Sequence, residues 1–255
     1  MGIFVTMVFM GIILGFIGAG GSGFIIAILV TFFAVPVHTA LGTSLLAMVF
    51  TALSGSVSHF RQKNLFLPVG IASGIFGAAG AFLGSQISPA IPEERLAWLT
   101  ASMLFLSALL LALRLFTTIG MYWERKGAQK VPVGMKFWMT AFGVGLSTGL
   151  LSGLFGIGSS SFIQIGLLVF FGLPVQQAAG TTFLIVLPLA FVGGIGYYSA
   201  GNLDLLLFVK VAFGTVIGAY IGAKFTNRLH PVILKVALVI VPMIGGIMLI
   251  FGTST

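Results

Sequence analysis

Long apolar runs separated by short polar punctuation make up the whole chain. Runs of roughly 20 apolar residues read as transmembrane helices. They are predicted at Met1–Ile17, Val37–Phe60, Phe66–Ile87, Leu96–Thr118, Met135–Leu151, Val175–Ser199, Leu205–Phe225 and Val232–Gly252. Two shorter runs, Phe24–Val35 and Phe162–Leu173, each follow a Gly/Ser-rich stretch inside otherwise apolar sequence. At about 12 residues each, they are too short to span a bilayer alone.

The two short runs belong to a duplication. The first copy reads Gly15-Phe-Ile-Gly-Ala-Gly-Gly-Ser-Gly-Phe-Ile25, and the second reads Gly153-Leu-Phe-Gly-Ile-Gly-Ser-Ser-Ser-Phe-Ile163, an offset of 138 residues. The same offset maps Pro36-Val37 onto Pro174-Val175, Ala40 onto Ala178, Gly42-Thr43 onto Gly180-Thr181, and Asn64-Leu65 onto Asn202-Leu203. A duplicated membrane unit with a helix interrupted at matching positions in both halves points to a transporter's binding site.

Composition fixes the solvent. The chain is 58% hydrophobic and 6% charged, against about 25% charged in a soluble domain. Met1–Ile17 has no basic leading region and its repeat mate is internal, so it reads as a permanent membrane helix rather than a signal peptide. The absence of cysteine excludes disulfides and thiolate metal sites. The net charge of +8 fits basic loops at a membrane surface rather than nucleic acid.

Charge also orients the chain. Arg125, Lys126, Lys130 and Lys136 lie in or next to the polar stretch between the repeats; Arg61 and Lys63 follow the second long helix; Lys224, Arg228 and Lys235 flank the last loop. If residues 1–35 cross once, the repeats run parallel and these groups split between the two sides. If residues 1–35 go in and come back, the repeats are inverted and all of these groups share one side. Glu93-Glu94-Arg95 and Asp204 then lie on the other. The positive-inside rule favours the second arrangement. The expected architecture is an all-α integral membrane protein with two inverted-topology repeats, each a broken helical hairpin plus three long transmembrane helices. Repeat 1 covers residues 1–118, a basic cytoplasmic linker 119–134, and repeat 2 residues 135–255.

The breaks carry the candidate chemistry. Gly18-Ala-Gly-Gly-Ser-Gly23 and Gly156-Ile-Gly-Ser-Ser-Ser161 each free backbone N–H groups and start a half-helix. A helix N-terminus carries partial positive charge and free donors, which suits an anion. Gly20, Gly21, Ser22 and Gly23 in repeat 1, and Gly158, Ser159, Ser160 and Ser161 in repeat 2, are the expected substrate contacts. The plainer alternative is that these small residues only permit tight helix packing. Thr43-Ser44 and Thr181-Thr182 follow Pro36 and Pro174 at equal spacing and are further candidates, unless they bond back to helix carbonyls. Gln164 offers an amide shortly after the second break. Lys210 lies within an apolar run, where an ionisable group is a functional candidate, although it can also snorkel outward. His59 and Arg61 end a long helix and are candidates for gating the cytoplasmic mouth. His38 reads as a cap or interface residue.

Only Glu93, Glu94, Glu124 and Asp204 are acidic, and all sit in or beside loops. A cation substrate is therefore not expected, and neither is a cofactor, a metal or a nucleic-acid partner. The expected partners are a small anionic substrate and membrane lipids, with a homodimer left open. Two other functions fit parts of the pattern. A passive anion channel would use the same breaks. Gly20-Gly-Ser22-Gly23 also matches the Gly-x-Ser-Gly of rhomboid-type intramembrane serine proteases. Duplicating the break makes little sense for one catalytic serine, however, and repeat 2 has no histidine at the positions matching His38 and His59. No enzymatic activity is expected.

The motifs resemble one family. A Gly-rich break, then Pro36, then Ala40-Leu-Gly-Thr-Ser44, is similar to the sulfite exporter TauE/SafE family, also called the toluene sulfonate uptake family. The copy at Gly156–Ser160, Pro174 and Ala178-Ala-Gly-Thr-Thr182 fits as well, as do Gly80–Gly84 and Gly218–Gly222. Repeat 2 departs in having Ser159-Ser160-Ser161 where glycines are usual. The resemblance implies a multi-pass protein of a prokaryotic inner membrane that moves sulfite or an organosulfonate, by alternating access around the paired breaks. It fixes neither substrate nor direction.

The topology is testable. A cysteine placed in the linker at 126–130 is expected to resist an impermeant thiol reagent in intact cells, while one appended after Thr255 reacts. The reverse pattern overturns the inverted arrangement.

Overall fold

The computed structural model describes residues 2–17, 22–116, 131–226 and 231–252. The described residues are mostly helical and contain no strand. The helices are α1 (Gly2–Ile17), α2 (Ser22–Phe33), α3 (Val37–Arg61), α4 (Leu67–Ile87), a 3-10 turn at Ser88–Ala90, α5 (Glu93–Phe116), α6 (Met135–Phe155), α7 (Ser160–Phe170), α8 (Val175–Ser199), α9 (Leu205–Thr226) and α10 (Pro231–Gly252). Among the described residues, five stretches are long and apolar enough to cross a membrane: Val37–Arg61, Leu67–Ala90, Glu93–Leu113, Met135–Phe155 and Gln176–Ser199.

The sequence offset reappears in the elements. Moved by 138 residues, Val37–Arg61 falls on Val175–Ser199, and Ser22 falls on Ser160. The punctuation explains why. Pro36 and Pro174 stand at the N-caps of α3 and α8 in extended backbone. There the fixed φ and missing N–H cost nothing to the new helix but prevent continuation of the previous one. At the second break Gly156 caps α6 in the left-handed conformation (φ 62), as C-terminal glycines commonly do.

Helices α2 and α7, at 12 and 11 residues, are about 16–18 Å long at 1.5 Å per residue, half a bilayer core. Residues Ser22–Val30 of α2 are all buried. A helix that is apolar on every face belongs inside the protein, and α2 packs on α3 and α10.

Small residues set the directions of the long helices. An added Cβ on Gly145 would meet the Ser73 carbonyl, on Gly149 the Gly77 backbone, and on Gly153 the Ala81 backbone. Helices α6 and α4 therefore run parallel in close contact, as small-xxx-small stripes allow. The same exchange occurs between α1 and α9, where Gly11 meets Thr215 and Gly218 meets Val8. Helices α3 and α8 run antiparallel: Gly42 lies against Tyr197, Gly55 against Phe183, and Gly180 against His59. Helix α4 also runs parallel to α8, with Gly70 on Leu184 at one end and Gln86 bonded to the Gly196 carbonyl (2.9 Å) at the other.

These directions sort the charges. Arg61, Lys63 and Lys136 lie at the end shared by the C-terminus of α3 and the N-termini of α4 and α6. Glu93, Glu94, Arg95 and Asp204 lie at the opposite end, with the N-terminus of α3 and the C-terminus of α8. Large apolar side chains such as Phe9, Phe32, Phe213 and Phe251 are exposed on the flanks, as a lipid-facing surface requires. Arg125, Lys126, Lys130 and Arg228 lie outside the described residues.

The glycine contacts give a paired prediction. Gly149→Ala forces backbone apart at the α4–α6 contact and is expected to cost about 1–3 kcal/mol, the range for overpacking. Gly143→Ala, which has nothing within 4 Å, is expected to leave stability unchanged or slightly higher. Melting temperatures of the two purified variants check this.

Candidate functional site: the paired helix breaks

The break in repeat 2 turns inward from the end of α6. Gly156 lies against Leu41 near the start of α3, and Gly158 (φ 63) lies against the Met48 side chain at the middle of α3. A Cβ on Gly158 would stand 3.7 Å from the Ser22 hydroxyl, which belongs to repeat 1. The second break thus meets the start of α2. Ser22 is the first residue of α2, and Ser159 is the N-cap of α7, so two half-helices bring their N-termini to one place. Each N-terminus carries about half a positive charge and unshared N–H donors.

Unspent hydroxyls mark this place. Ser22 is fully buried and Ser159 is 2% exposed, and neither Oγ has a hydrogen-bond partner. A buried, unpaired polar group costs about 1–3 kcal/mol. Ser159 is further strained: its φ is 45 and ψ 25, the left-handed region, which costs a non-glycine residue roughly 1–2 kcal/mol. Strain of this kind clusters at ligand sites. Its hydroxyl makes no capping bond to its own helix, although serine is a favoured N-cap.

The other expected contacts fall in different places. Gly20 and Gly21 lie outside the described residues. Gly23 is buried against Leu104 of α5. The Ser161 hydroxyl is paired with Ser107 at 2.9 Å. Ser160 and Gln164 are half-buried one turn apart on α7. The Ser44 hydroxyl donates to the Ala40 carbonyl at 2.7 Å, and Thr182 to the Ala178 carbonyl at 2.8 Å. Both are thus spent within their own helices, the plainer reading for hydroxyls in a membrane helix. Thr181 accepts from the Phe66 N–H at 3.0 Å, tying α8 to the start of α4. Its mate Thr43 is buried without a partner. Lys210 is half-buried on α9. His59 stacks on Phe183 (centroids 5.6 Å apart), and Arg61 is exposed at the end of α3.

Met48 and Tyr197 are functional candidates that the sequence pattern did not single out. Met48 lies against Gly158 in the second break. Tyr197 is fully buried and donates to the Gly153 carbonyl at 2.7 Å, just before the second break. The available signal was positional, since Tyr197 is the repeat mate of His59. No group of His, Asp and Glu among the described residues is arranged to hold a metal.

Comparison with known proteins places the chain among membrane transporters. The family model for sulfite exporter TauE/SafE matches residues 3–249. A "Probable membrane transporter protein YdhB" of Bacillus subtilis is 48% identical over 249 residues, covering 98% of this chain and 99% of that protein. A second Bacillus subtilis protein, "Probable membrane transporter protein YjnA", is 29% identical over 248 residues, with 95% and 96% covered. A Methanocaldococcus jannaschii protein, "Probable membrane transporter protein MJ0441", is 26% identical over 252 residues, with 91% and 90% covered. No solved structure matches. With its family model spanning nearly the whole chain, this multi-pass membrane protein belongs to the sulfite exporter TauE/SafE family of membrane transporters.

Proposed function

We propose that this transporter moves a small sulfur-containing anion, sulfite or an organosulfonate, across a prokaryotic inner membrane by alternating access between two inverted repeats. The observation that carries the anion is the meeting of two helix N-termini. Ser22 and Ser159 contribute buried, unpaired hydroxyl donors there. Neither break contains an acidic residue, so nothing opposes negative charge. The family description names sulfite, which supports the sulfur oxyanion. The inverted arrangement is supported by the antiparallel contact of α3 with its own repeat mate α8. The basic end with Arg61, Lys63 and Lys136 is the cytoplasmic side under the positive-inside rule.

Ligand binding to the folded state raises apparent stability. In detergent, the melting temperature is expected to rise with sulfite or methanesulfonate and to stay flat with methylammonium. Equal stabilisation by the cation removes the anion reading. Saturable counterflow in liposomes distinguishes a carrier from a channel.

Residue variants test the site. Losing a hydrogen bond to a charged group costs about 1.5–3 kcal/mol, so Ser22→Ala is expected to weaken anion affinity about tenfold or more. Ser159→Gly is expected to move stability and affinity in opposite directions. It relieves the left-handed strain and so raises the melting temperature, yet it weakens binding about tenfold. Ser44→Ala, whose hydroxyl is spent within α3, is expected to leave affinity unchanged. Normal binding by Ser22→Ala and Ser159→Gly together would reduce the breaks to packing devices.

A further inference from the structure

A second cluster of titratable and polar groups lies away from the paired breaks, at the end of the bundle that carries Glu93. The Glu93 carboxylate reaches α3 twice. Its Oε1 is 3.5 Å from His38 Nδ1, and its Oε2 accepts from the Val37 N–H at 3.3 Å. The other ring nitrogen, Nε2, is 3.1 Å from the Ser88 carbonyl oxygen. Both ring nitrogens therefore face acceptors. A neutral imidazole has one N–H and can serve only one of them; an imidazolium has two and serves both. His38 is 8% exposed, whereas the Glu93 side chain is 52% exposed, so the imidazole is enclosed and its carboxylate partner lies at the surface.

The cluster continues inward. The Ser88 hydroxyl donates to the Leu154 carbonyl at 3.1 Å. The Tyr197 hydroxyl lies 3.0 Å from Ser88 Oγ and 2.7 Å from the Gly153 carbonyl. Gly153 and Leu154 are in the last turn of α6, directly ahead of the break at Gly156. One chain of contacts thus joins α5, the turn Ser88–Ala90, α3, α8 and the end of α6. The second repeat cannot reproduce it, because Gln176 and Pro231 stand where repeat 1 has His38 and Glu93.

We propose that His38 is a proton-binding site that latches this end of the transporter. With both nitrogens protonated, His38 holds Glu93 and the Ser88 carbonyl together, and Ser88 with Tyr197 holds the end of α6 closed over the break. Loss of one proton turns a lone pair toward an acceptor and releases the latch. The groups around the ring agree with this assignment. From α5 come Glu93, in contact, and Glu94 and Arg95, exposed in the first turn. From α8 comes Tyr197, through Ser88. From α9, Asp204 is occupied in capping its own helix through Leu206 and Leu207, and Lys210 lies further along. Helix α2 carries no titratable group. Because the proton is bound by the closed form, closure is favoured at low pH and lost as pH rises.

The latch rests on the transporter reading for its meaning, but its test needs no substrate, so the two can fail separately. The chain has no cysteine. Ser152, fully buried with an unpaired hydroxyl one residue before Gly153, becomes the reporter as Ser152→Cys. The purified full-length protein is labelled with a cationic, water-soluble methanethiosulfonate from about pH 5.5 to about pH 8.5. Exposed Gln62→Cys, labelled in parallel, corrects for the pH dependence of thiol reactivity. The expected ratio of the two rates rises about tenfold across this range, the scale of one lost charge-assisted hydrogen bond. Adding His38→Gln, the residue that repeat 2 carries at this position, is expected to make the ratio flat. Glu93→Gln removes the same ion pair with His38 in place and decides the matter if His38→Gln does not fold. His59→Gln should preserve the response. A flat ratio in the otherwise native chain, including no labelling at any pH, overturns the proposal, as does a pH response that survives both His38→Gln and Glu93→Gln.

Discussion

Backbone polar groups have no water to turn to inside a bilayer, and the structure around the breaks follows from that fact. An interrupted helix leaves N–H and C=O groups that cost several kcal/mol each if they face lipid. The break must therefore be enclosed by protein. Residues Ser22–Val30 of α2 are buried on every face, and Gly156 and Gly158 are covered by Leu41 and Met48. Enclosure on this scale requires the surrounding helices to approach until their backbones touch. Only residues without a protruding side chain allow it, which is why Gly145, Gly149 and Gly153 form a stripe on α6 against α4. The helix breaks and the glycine stripes satisfy one requirement.

One sequence unit used twice has settled into two environments. Thr181 holds the Phe66 N–H, while its mate Thr43 is buried and unpaired. Tyr197 is bonded to the end of α6, while its mate His59 stacks on Phe183 and its Nδ1 makes no hydrogen bond. Differences of this kind are each worth about 1 kcal/mol, small enough to be exchanged between the halves. On the alternating-access reading, that exchange is the transport step: contacts made at one end dissolve as their counterparts form at the other.

The sequence carried the architecture further than it carried the site. Pro36, Pro174 and the Gly/Ser breaks punctuate the chain chemically, so the bounds of α3 and α8 could be read almost to the residue. Direction and neighbour choice could not, because lipid-facing and protein-facing surfaces are both apolar and periodicity does not separate them. That α6 pairs with α4, and α1 with α9, emerges only from where backbone meets backbone. The same limit hid the site's finer division. Ser161 and Ser159 are equivalent by type, yet one finds Ser107 from α5 and the other finds nothing. Ser44 and Thr182 look like donors in a motif but are consumed by carbonyls four residues earlier. His38 and Glu93 are far apart in sequence, and nothing in their local context announces the pairing.

The donor set at the breaks also bears on how an anion could be released. Dehydrating a small oxyanion costs many kcal/mol, and hydrogen bonds to a charged group return about 1.5–3 kcal/mol each. Four donors, an N–H and a hydroxyl from each half-helix, return on the order of 10 kcal/mol. A lysine or arginine in the break would add affinity, but it would travel with its own helix and hold the anion through any movement. Neither break contains one. The donors are instead split between α2 and α7, which come from different repeats. A site divided in this way is complete only while the two N-termini face each other. On the anion-transport reading, separating them would remove half the donors and half the positive dipole at once, so a change in helix packing would by itself convert binding into release.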